Sequence, residues 1–400
     1  MDRQAPTERQ MASLDGIRGI AALIVIFSHA VFWYYPAAHL GLRTQGRPTD
    51  GIDVFNSPFT FFFRGGFSVS LFFVLSGIVL TYSILKHENV INAALNAAKR
   101  RYIRIGIPVA VSIMICYLLI KIGVYGENQI LPTPFLSTKY LFNPSILEAL
   151  QDSLFGALIL GHSKYNYTLW TIQIELLGSF IIYALLIALG KHTVSLRLVC
   201  ISIAFSVPLY SNTPMAIYLS MFMIGTFIAT FETPNLNKVS ACALGSILVI
   251  TGLYLAGFNP GSQAYTLLTT KIIAWARSIG ARPSWYIVVP YIGATMITIG
   301  VMTISEHVQV MNLRVFKWLG KLSFSVYLLH SFALAIVCPI AINTFGVSII
   351  SLAATIIATT IITLIASIYF HRYVDYPSIK LASIFSKKIS NSRPRITAST

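Results

Sequence analysis

Residues 13–34 read SLDGIRGIAALIVIFSHAVFWY, and from Ile20 onward this stretch is apolar enough to span a bilayer, yet it carries Asp15, Arg18 and His29. An α-helix turns about 100° per residue, so Arg18 and His29, eleven residues apart, project from one face. They are separated by roughly 16 Å along the axis, and Asp15 shares their face. Ionisable side chains in a membrane helix mark polar pathways. The alternative interpretation places Asp15 and Arg18 at the membrane interface and His29 in a hydrogen-bonded core.

The composition indicates that most of the chain lies in a membrane. Of its 400 residues, 56% are hydrophobic and 10% are charged, with a mean hydropathy of +0.72, whereas soluble domains are about 25% charged. The net charge of +16 would suggest nucleic acid in a soluble protein, but Lys and Arg also accumulate in the cytoplasmic loops of membrane proteins. We expect the lipid bilayer, and no nucleic acid, as partner. The four cysteines lie singly in apolar runs without metal-ligand spacing, so no metal is expected.

Apolar segments of about 20 residues recur along the chain. We predict an all-α integral membrane protein, a bundle of about ten transmembrane helices around a polar cavity, with spans near residues 14–35, 66–85, 104–125, 168–190, 196–210, 214–231, 239–257, 285–304, 321–340 and 347–370. Ten spans put both termini on one side. If that side is the cytoplasm, it holds 19 of the 29 Lys and Arg residues and the other side holds 8, as the positive-inside rule requires.

The domain organisation is expected to be simple. Residues 1–377 form one membrane domain, and residues 378–400 form a short basic cytoplasmic tail that lies against anionic lipid headgroups. The outer loops are long and aromatic, which suits an acceptor arriving from outside and equally suits a receptor or a transporter vestibule; they comprise residues 36–65, 126–167 and 258–284.

Two motifs follow in the second and third spans. Residues 72–78, FFVLSGI, place Ser76 beside a glycine, a small pair that allows close helix packing. Residues 99–108, KRRYIRIGIP, put Arg101 and Arg104 on one helical face. Arginine forks match phosphate oxygens, although an orientation anchor would show the same residues.

Two acidic residues occur in or beside later spans. Residues 166–175, NYTLWTIQIE, contain Trp170 and Glu175. A carboxylate within a span is costly and indicates a functional role, the alternative being a structural partner for some arginine. The last span ends in HRYVDYPSIK, residues 371–380, where we expect Asp375 to lie at a helix terminus at the interface.

A polar stripe is predicted on the ninth span. Residues 319–330 read LGKLSFSVYLLH, in which Ser323, Tyr327 and His330 recur at intervals of four and three. Residues so spaced share a helical face. Such a stripe indicates either a cavity lining or hydrogen bonds between helices.

In this order, the motifs resemble those of acyltransferase family 3. The run DGIRGIAAL, with Arg18 followed by ten residues and then His29, is similar to the family's first helix, and FFVLSGI resembles its FFVLSGF. Arg-x-x-Arg, Leu-Trp…Glu and Ser-x-Tyr-Leu-x-His elements follow. Ile78 departs from the usual aromatic residue, Leu176-Leu177-Gly178 follow Glu175 where many relatives have aromatic or polar residues, and Asp375 stands in for the glutamate of Glu-x-Pro.

The resemblance implies a multi-pass membrane enzyme that transfers acyl groups, mostly acetyl, to extracytoplasmic sugars and related acceptors. We therefore expect acetyl-CoA or another acyl-CoA as co-substrate, no tightly bound cofactor, and a hydroxyl of a glycan or glycolipid as acceptor. The expected location is a bacterial inner (cytoplasmic) membrane, with both termini cytoplasmic.

Each candidate residue is then given a role. His29 is the general base, Glu175 orients it or relays its proton, Arg18 and Asp15 position the donor, and Arg101 and Arg104 hold its phosphates. The remaining candidates line the cavity, and they are Ser76, Trp170, Ser323, Tyr327 and His330.

Two other classes of protein are alternatives to the enzyme. A transporter or channel could use Arg18, His29 and Glu175 as a substrate or proton path, because ionisable stripes in membranes suit that equally well. A scaffold subunit is disfavoured, since it has little use for buried ionisable groups.

Overall fold

The computed structural model describes residues 7–41, 50–125, 140–190, 192–231, 236–308 and 310–391. Every regular element in these ranges is a helix, so the predicted all-α fold class is confirmed. Nine of the helices in the described ranges are long and apolar enough to cross a membrane, which makes the chain a multi-pass membrane protein.

Each of the ten predicted spans corresponds to one helix. In chain order these are α1 (Glu8–Tyr34), α2 (Gly65–Leu85), α3 (Val90–Lys121), α4 (Trp170–Leu189), α5 (Thr193–Tyr210), α6 (Pro214–Ala229), α7 (Lys238–Ala256), α8 (Trp285–Ile304), α9 (Arg314–Phe345) and α10 (Ile349–Phe370). Helices α3 and α9 begin well before the predicted spans, because hydropathy detects only their apolar parts and misses their polar first turns.

Helix α1 lies against α9 along much of its length. It begins at a capping box, in which Thr7 Oγ1 accepts from the Gln10 N–H and the Gln10 side chain accepts from the Thr7 N–H. A Cβ on Gly19 would lie 2.7 Å from the backbone nitrogen of Gly320, so a larger residue there would force the two helices apart. This close approach fixes the register between the α1 and α9 polar residues.

Helix α6 is the shortest pass, with 16 residues and a length of about 24 Å. Arg197, in the first two turns of α5, donates from Nε to Thr230 Oγ1 (3.0 Å), which lies just beyond α6. Helix α6 therefore returns to the end of the bundle where α5 begins. The described helices thus cross the bundle ten times, and α1 begins at the same end at which α10 finishes.

Helices α2 and α6 pack through glycines. A Cβ on Gly77 would lie 2.9 Å from the Cα of Gly225. The close packing predicted for the Ser76-Gly77 pair is therefore present. Because Gly77 faces α6, the preceding residue, Ser76, faces a different helix, α4, where its Oγ donates to Glu175.

The expected helix terminus near Asp375 is wrong. Residues His371–Asp375 form a π-helical turn, and the chain continues directly into α11 (Tyr376–Asn391). A proline in the first turn of a helix removes only an N–H group that has no partner within the helix, so Pro377 does not end the helical path. The beginning of the predicted tail is thus helical, and Ser378 donates to the backbone oxygen of Arg104 on α3 (3.3 Å). Residues 392–400 lie outside the described residues.

Candidate active site

A cavity of about 600 Å³ lies between α1, α2, α3, α4, α9 and the π-helical turn. Eight of the eleven predicted site residues line it, whereas His29, Trp170 and His330 do not. The eight are Asp15, Arg18, Ser76, Arg101, Arg104, Glu175, Ser323 and Tyr327. The structure therefore gathers residues from five separate stretches of sequence around one space.

Glu175 forms an ion pair with Arg101 on one wall of the cavity. Ser76 Oγ donates to the same carboxylate at 3.1 Å, and Arg101 Nε donates to Ser179 Oγ at 2.8 Å. The carboxylate is thus held by α2 and α3 together. Among the described residues Glu175 makes no hydrogen bond with His29, so the expected orienting contact between them is absent. The structure matches the alternative left open by the sequence, a structural partner for an arginine.

Arg101 and Arg104 have different environments, although they are one turn apart on α3. The Arg101 side chain is only 8% exposed and is occupied by Glu175 and Ser179. The Arg104 side chain is open to the cavity, and its guanidinium makes no hydrogen bond or ion pair with a described residue. Arg104 therefore has its whole guanidinium available to a ligand in the cavity, whereas Nε and Nη2 of Arg101 are already engaged by Ser179 and Glu175.

Further cations line the same end of the cavity. Arg18 pairs with Asp15 at 2.8 Å, and Lys317 and Lys321 on α9 are exposed beside them. Sequence reasoning missed both lysines as site residues because they resemble ordinary positive-inside charges. Their spacing of four residues, which places them on one face of α9, was the signal available. We call Arg18, Arg104, Lys317 and Lys321 the basic end of the cavity.

The π-helical turn contributes a third acidic group, which the sequence analysis placed at a helix terminus and not in the cavity. Asp375 is buried and lies 2.8 Å from His371 Nδ1, and both residues line the cavity. A carboxylate at the end of an apolar span was the available signal. Asp15, Glu175 and Asp375 each lie near a basic side chain. Among the described residues that line the cavity, the cationic side chains without such an acidic partner are Arg104, Lys317 and Lys321.

The end of the cavity opposite the basic end is closed by Tyr327. Its hydroxyl donates to the backbone oxygen of Thr168 (2.6 Å) and contacts Thr171 Oγ1 (2.7 Å). Ser323 lies one turn earlier on α9, and its hydroxyl donates to the backbone oxygen of Gly320 in the same helix (2.8 Å). Both residues line the cavity, and Tyr327 also fastens α9 to the start of α4.

His29 lies beyond Tyr327, among aromatic rings. Its ring centroid is 5.2 Å from that of His330 and 5.1 Å from that of Tyr167. The Tyr327 ring is 5.9 Å from the His330 ring. The two histidines are therefore adjacent and are separated from the cavity by one tyrosine. His29 is partly exposed, whereas His330 is fully buried.

Asn166 holds Tyr167 in this position, at the start of a short 3₁₀ helix (Tyr167–Leu169) that follows irregular backbone. Asn166 is fully buried, donates to the backbone oxygen of Leu328 on α9 (2.9 Å), and accepts from Thr168 Oγ1 (2.7 Å). Irregular backbone inside a membrane bundle is tolerated only where it is buried in protein or lines a cavity. Sequence reasoning missed Asn166, although it begins the NYTLW motif.

Trp170 does not line the cavity. It is 39% exposed, and its ring lies 5.4 Å from that of Tyr218 on α6. Trp170 therefore lies outside the set of residues that line this cavity. In the described part of the chain, no three His, Cys, Asp or Glu side chains converge as metal ligands would.

The fold and the site define a class of protein, a multi-pass membrane bundle that encloses an ionisable cavity next to a histidine pair. The sequence profile of the acyltransferase domain of acyltransferase family 3 matches residues 11–372, so the chain belongs to that family, as its motifs predicted. The chain is 20% identical to the O-acetyltransferase PaAT-1 of Phomopsis amygdali, and the match covers 92% of this chain and 83% of that protein. No solved structure is significantly similar to the chain.

Proposed function

We propose that this membrane acyltransferase transfers acetyl from acetyl-CoA to a hydroxyl of an extracytoplasmic glycan or glycolipid. The observation that carries the proposal is the order of groups along the bundle, in which the basic end of the cavity is followed by Tyr327 and then by His29. This order suits a long anionic donor whose phosphates stay at the basic end while its thioester extends past Tyr327 toward His29. The name of the related O-acetyltransferase of Phomopsis amygdali supports acetyl as the group and oxygen as its acceptor.

The proposed chemistry requires one proton carrier. His29 takes the proton of the acceptor hydroxyl as its oxygen attacks the thioester carbonyl. The new carbon–oxygen bond forms, the carbon–sulfur bond breaks, and the proton passes from His29 to the departing thiolate. Neutral imidazole suits this task because it both accepts and returns a proton near neutral pH.

Donor binding is assigned to the basic end of the cavity. Arg104 has five unused N–H donors in a planar fork that matches phosphate oxygens. Lys317, Lys321 and Arg18 lie across the cavity from it on α9 and α1. Coenzyme A carries its phosphates in two groups, and cations on two walls suit such a ligand. Arg101, which is already paired, is no longer assigned to the phosphates.

The sidedness of the reaction follows from the charge distribution. The basic end lies where α1 begins, and this end also carries most of the Lys and Arg residues of the chain. By the positive-inside rule it faces the cytoplasm, where acyl-CoA is made. We propose a bacterial inner membrane with both termini cytoplasmic, so that the acceptor reaches His29 from the outside.

Labelling of an acceptor separates this proposal from a transporter or channel. Membrane vesicles that contain the protein are given acetyl-CoA labelled in its acetyl group, and surface glycans and glycolipids are extracted and analysed by mass spectrometry. We expect a labelled ester that depends on the protein and disappears in His29→Ala. A general base typically contributes 10²–10⁴-fold. Transport of solute without any labelled ester would overturn the proposal, and near-normal labelling by His29→Ala would overturn the role of His29.

A further inference from the structure

His330 has one committed nitrogen and one free nitrogen. Its Nδ1 is 2.8 Å from the backbone oxygen of Tyr327 and 3.1 Å from that of Val326. A carbonyl oxygen only accepts hydrogen bonds, so Nδ1 carries the proton and donates it. The other nitrogen, Nε2, therefore holds a lone pair. It is buried and has no hydrogen-bond partner among the described residues.

His29 is the neighbouring residue that can donate a hydrogen bond to this lone pair. The two rings meet edge to face, with planes 64° apart and centroids 5.2 Å apart. In the described part of the chain His29 makes no hydrogen bond or ion pair of its own, and its ring is partly exposed. Buried polar atoms are nearly always paired, so two unpaired imidazoles side by side indicate a contact that forms during the reaction.

We propose that His330 is the positioning residue of His29, because its Nε2 accepts a hydrogen bond from one ring nitrogen of His29 and leaves the other nitrogen to face the acceptor hydroxyl. This inference rests on the proposed function, in which His29 is the general base. His330 itself does not contact substrate, since it is fully buried behind His29.

The contact performs two tasks. Neutral His29 has two tautomers, and only the one that donates to His330 keeps its lone pair on the side of the acceptor. After His29 takes the proton, both of its nitrogens carry N–H groups, and a buried charged group without a hydrogen-bond acceptor is strongly disfavoured. The Nε2 lone pair of His330 stabilises this protonated form until the proton passes to the thiolate.

Few other titratable groups surround the His29 ring. The Tyr167 ring lies tilted by 39° beside it, just before α4, and His39 lies beyond the end of α1, where its Nε2 is 3.1 Å from the backbone oxygen of Ser28. Neither His29 nor His330 belongs to any of the ion pairs among the described residues. His330 is therefore the acceptor that the fold supplies next to His29.

Two substitutions distinguish this role from mere packing. Gln at position 330 extends an amide oxygen toward the place of Nε2, whereas Asn reaches only the place of Nδ1 and cannot replace the acceptor. We expect His330→Asn to lower kcat about 10- to 100-fold, the effect of losing a hydrogen bond to a charged group, with the KM for acetyl-CoA changed less than twofold. His330→Gln should recover part of kcat. Ser325→Ala, which removes a buried hydroxyl of α9 that has no partner among the described residues, is the matched control and should retain normal turnover.

The pH profile supplies a readout that packing does not move. Without its acceptor, protonated His29 is less favoured, so the acidic limb of kcat/KM should shift to lower pH in His330→Asn and remain near its normal position in His330→Gln. Equal turnover and equal pH profiles in wild type, Asn and Gln variants would overturn the inference while leaving His29 as base. If His29→Ala itself retains activity, the proposed function fails first, and the two failures are thereby distinguished.

Discussion

Arg101 and Glu175 are joined in an ion pair across α3 and α4, while Arg104, one turn further along α3, has its guanidinium free in the cavity. The two arginines of one Arg-x-x-Arg motif therefore lie in different environments. Arg101 braces the wall that carries Glu175 and Ser76, and Arg104 is available to a ligand. Substitutions of the two arginines should therefore have different effects on donor binding and on stability.

Arg104→Ala should raise the KM for acetyl-CoA about tenfold or more. A charge-assisted hydrogen bond contributes about 1.5–3 kcal/mol, and a contact to the phosphates is remote from the thioester, so it stabilises ground state and transition state alike. The value of kcat at saturating donor should change little. Initial rates over a range of donor concentrations measure both. Arg104→Lys should restore binding only in part, because it keeps the charge and loses the fork.

Arg101→Ala serves as the contrast for Arg104→Ala. Removal of one partner from a buried ion pair leaves the other charge unpaired and costs about 3–5 kcal/mol. The thermal midpoint of the detergent-solubilised protein should therefore fall, which Arg104→Ala should not cause. If Arg101→Ala leaves the midpoint unchanged and raises only the KM, both arginines hold phosphates and the separation of roles is incorrect.

Lys317→Gln combined with Lys321→Gln should also raise the KM for acetyl-CoA. Both lysines are exposed at the basic end of the cavity, so their effect on an anionic donor should be screened by salt. The KM of wild type should rise with ionic strength more steeply than that of the double variant. Lys271→Gln, which removes an exposed charge from the other end of the bundle, is the control. A double variant with the KM and salt dependence of wild type would exclude the lysines from donor binding.

The sequence predicted the helices well and their side-chain partners poorly. Apolar segments are a local property, so each predicted span has its helix, and nine of these helices in the described ranges are long and apolar enough to cross a membrane. The pairing of Arg101 with Glu175 joins residues 74 positions apart, and no spacing rule reaches across that distance. The sequence therefore left Glu175 with two roles, and only the fold selects the ion pair.

Other errors arose where one local signal has two causes. Lys317 and Lys321 satisfy the positive-inside rule and also line the cavity, and the rule alone explained them fully. The motif around Asp375 predicted a helix end, yet Pro377 lies in the first turn of α11, where a proline is compatible with a helix, and α10 continues through the π-helical turn into α11. The motif containing Trp170 gave its sequence position, but not the side of α4 on which its ring lies.

His39 should make the protein sensitive to acid. Burial, together with the nearby Arg64 guanidinium, lowers the pKa of His39 to about 3, whereas the unfolded chain binds a proton near the ordinary value of about 6.5. Between these values the unfolded state holds one more proton, so the free energy of unfolding falls as the pH falls, by about 1.4 kcal/mol per pH unit. Above pH 6.5 the group has no effect.

A comparison with His39→Gln isolates this contribution. Gln retains a donor for the backbone oxygen of Ser28, which His39 Nε2 contacts at 3.1 Å, but it does not titrate. Thermal midpoints measured from pH 7.5 to pH 5 should fall more steeply in wild type than in the variant, and carboxylates that titrate at lower pH affect both proteins equally. Parallel curves would mean that His39 is protonated in the folded state.

The orientation of the bundle is the premise of the donor-binding assignment, and it can be measured without any activity. Lys86 lies in the link between α2 and α3, at the end of the bundle that carries Arg104, and Lys271 lies in the helix Thr266–Ser278 at the other end. Both side chains are exposed. In a background without the native cysteines, Lys271→Cys should react with a membrane-impermeant maleimide in intact cells. Lys86→Cys should react only after the membrane is opened, because the positive-inside rule places the basic end in the cytoplasm. Labelling of Lys86→Cys from outside would put the basic end away from the cytoplasmic acyl-CoA, and the assignment of Arg104, Lys317 and Lys321 to its phosphates would then fail.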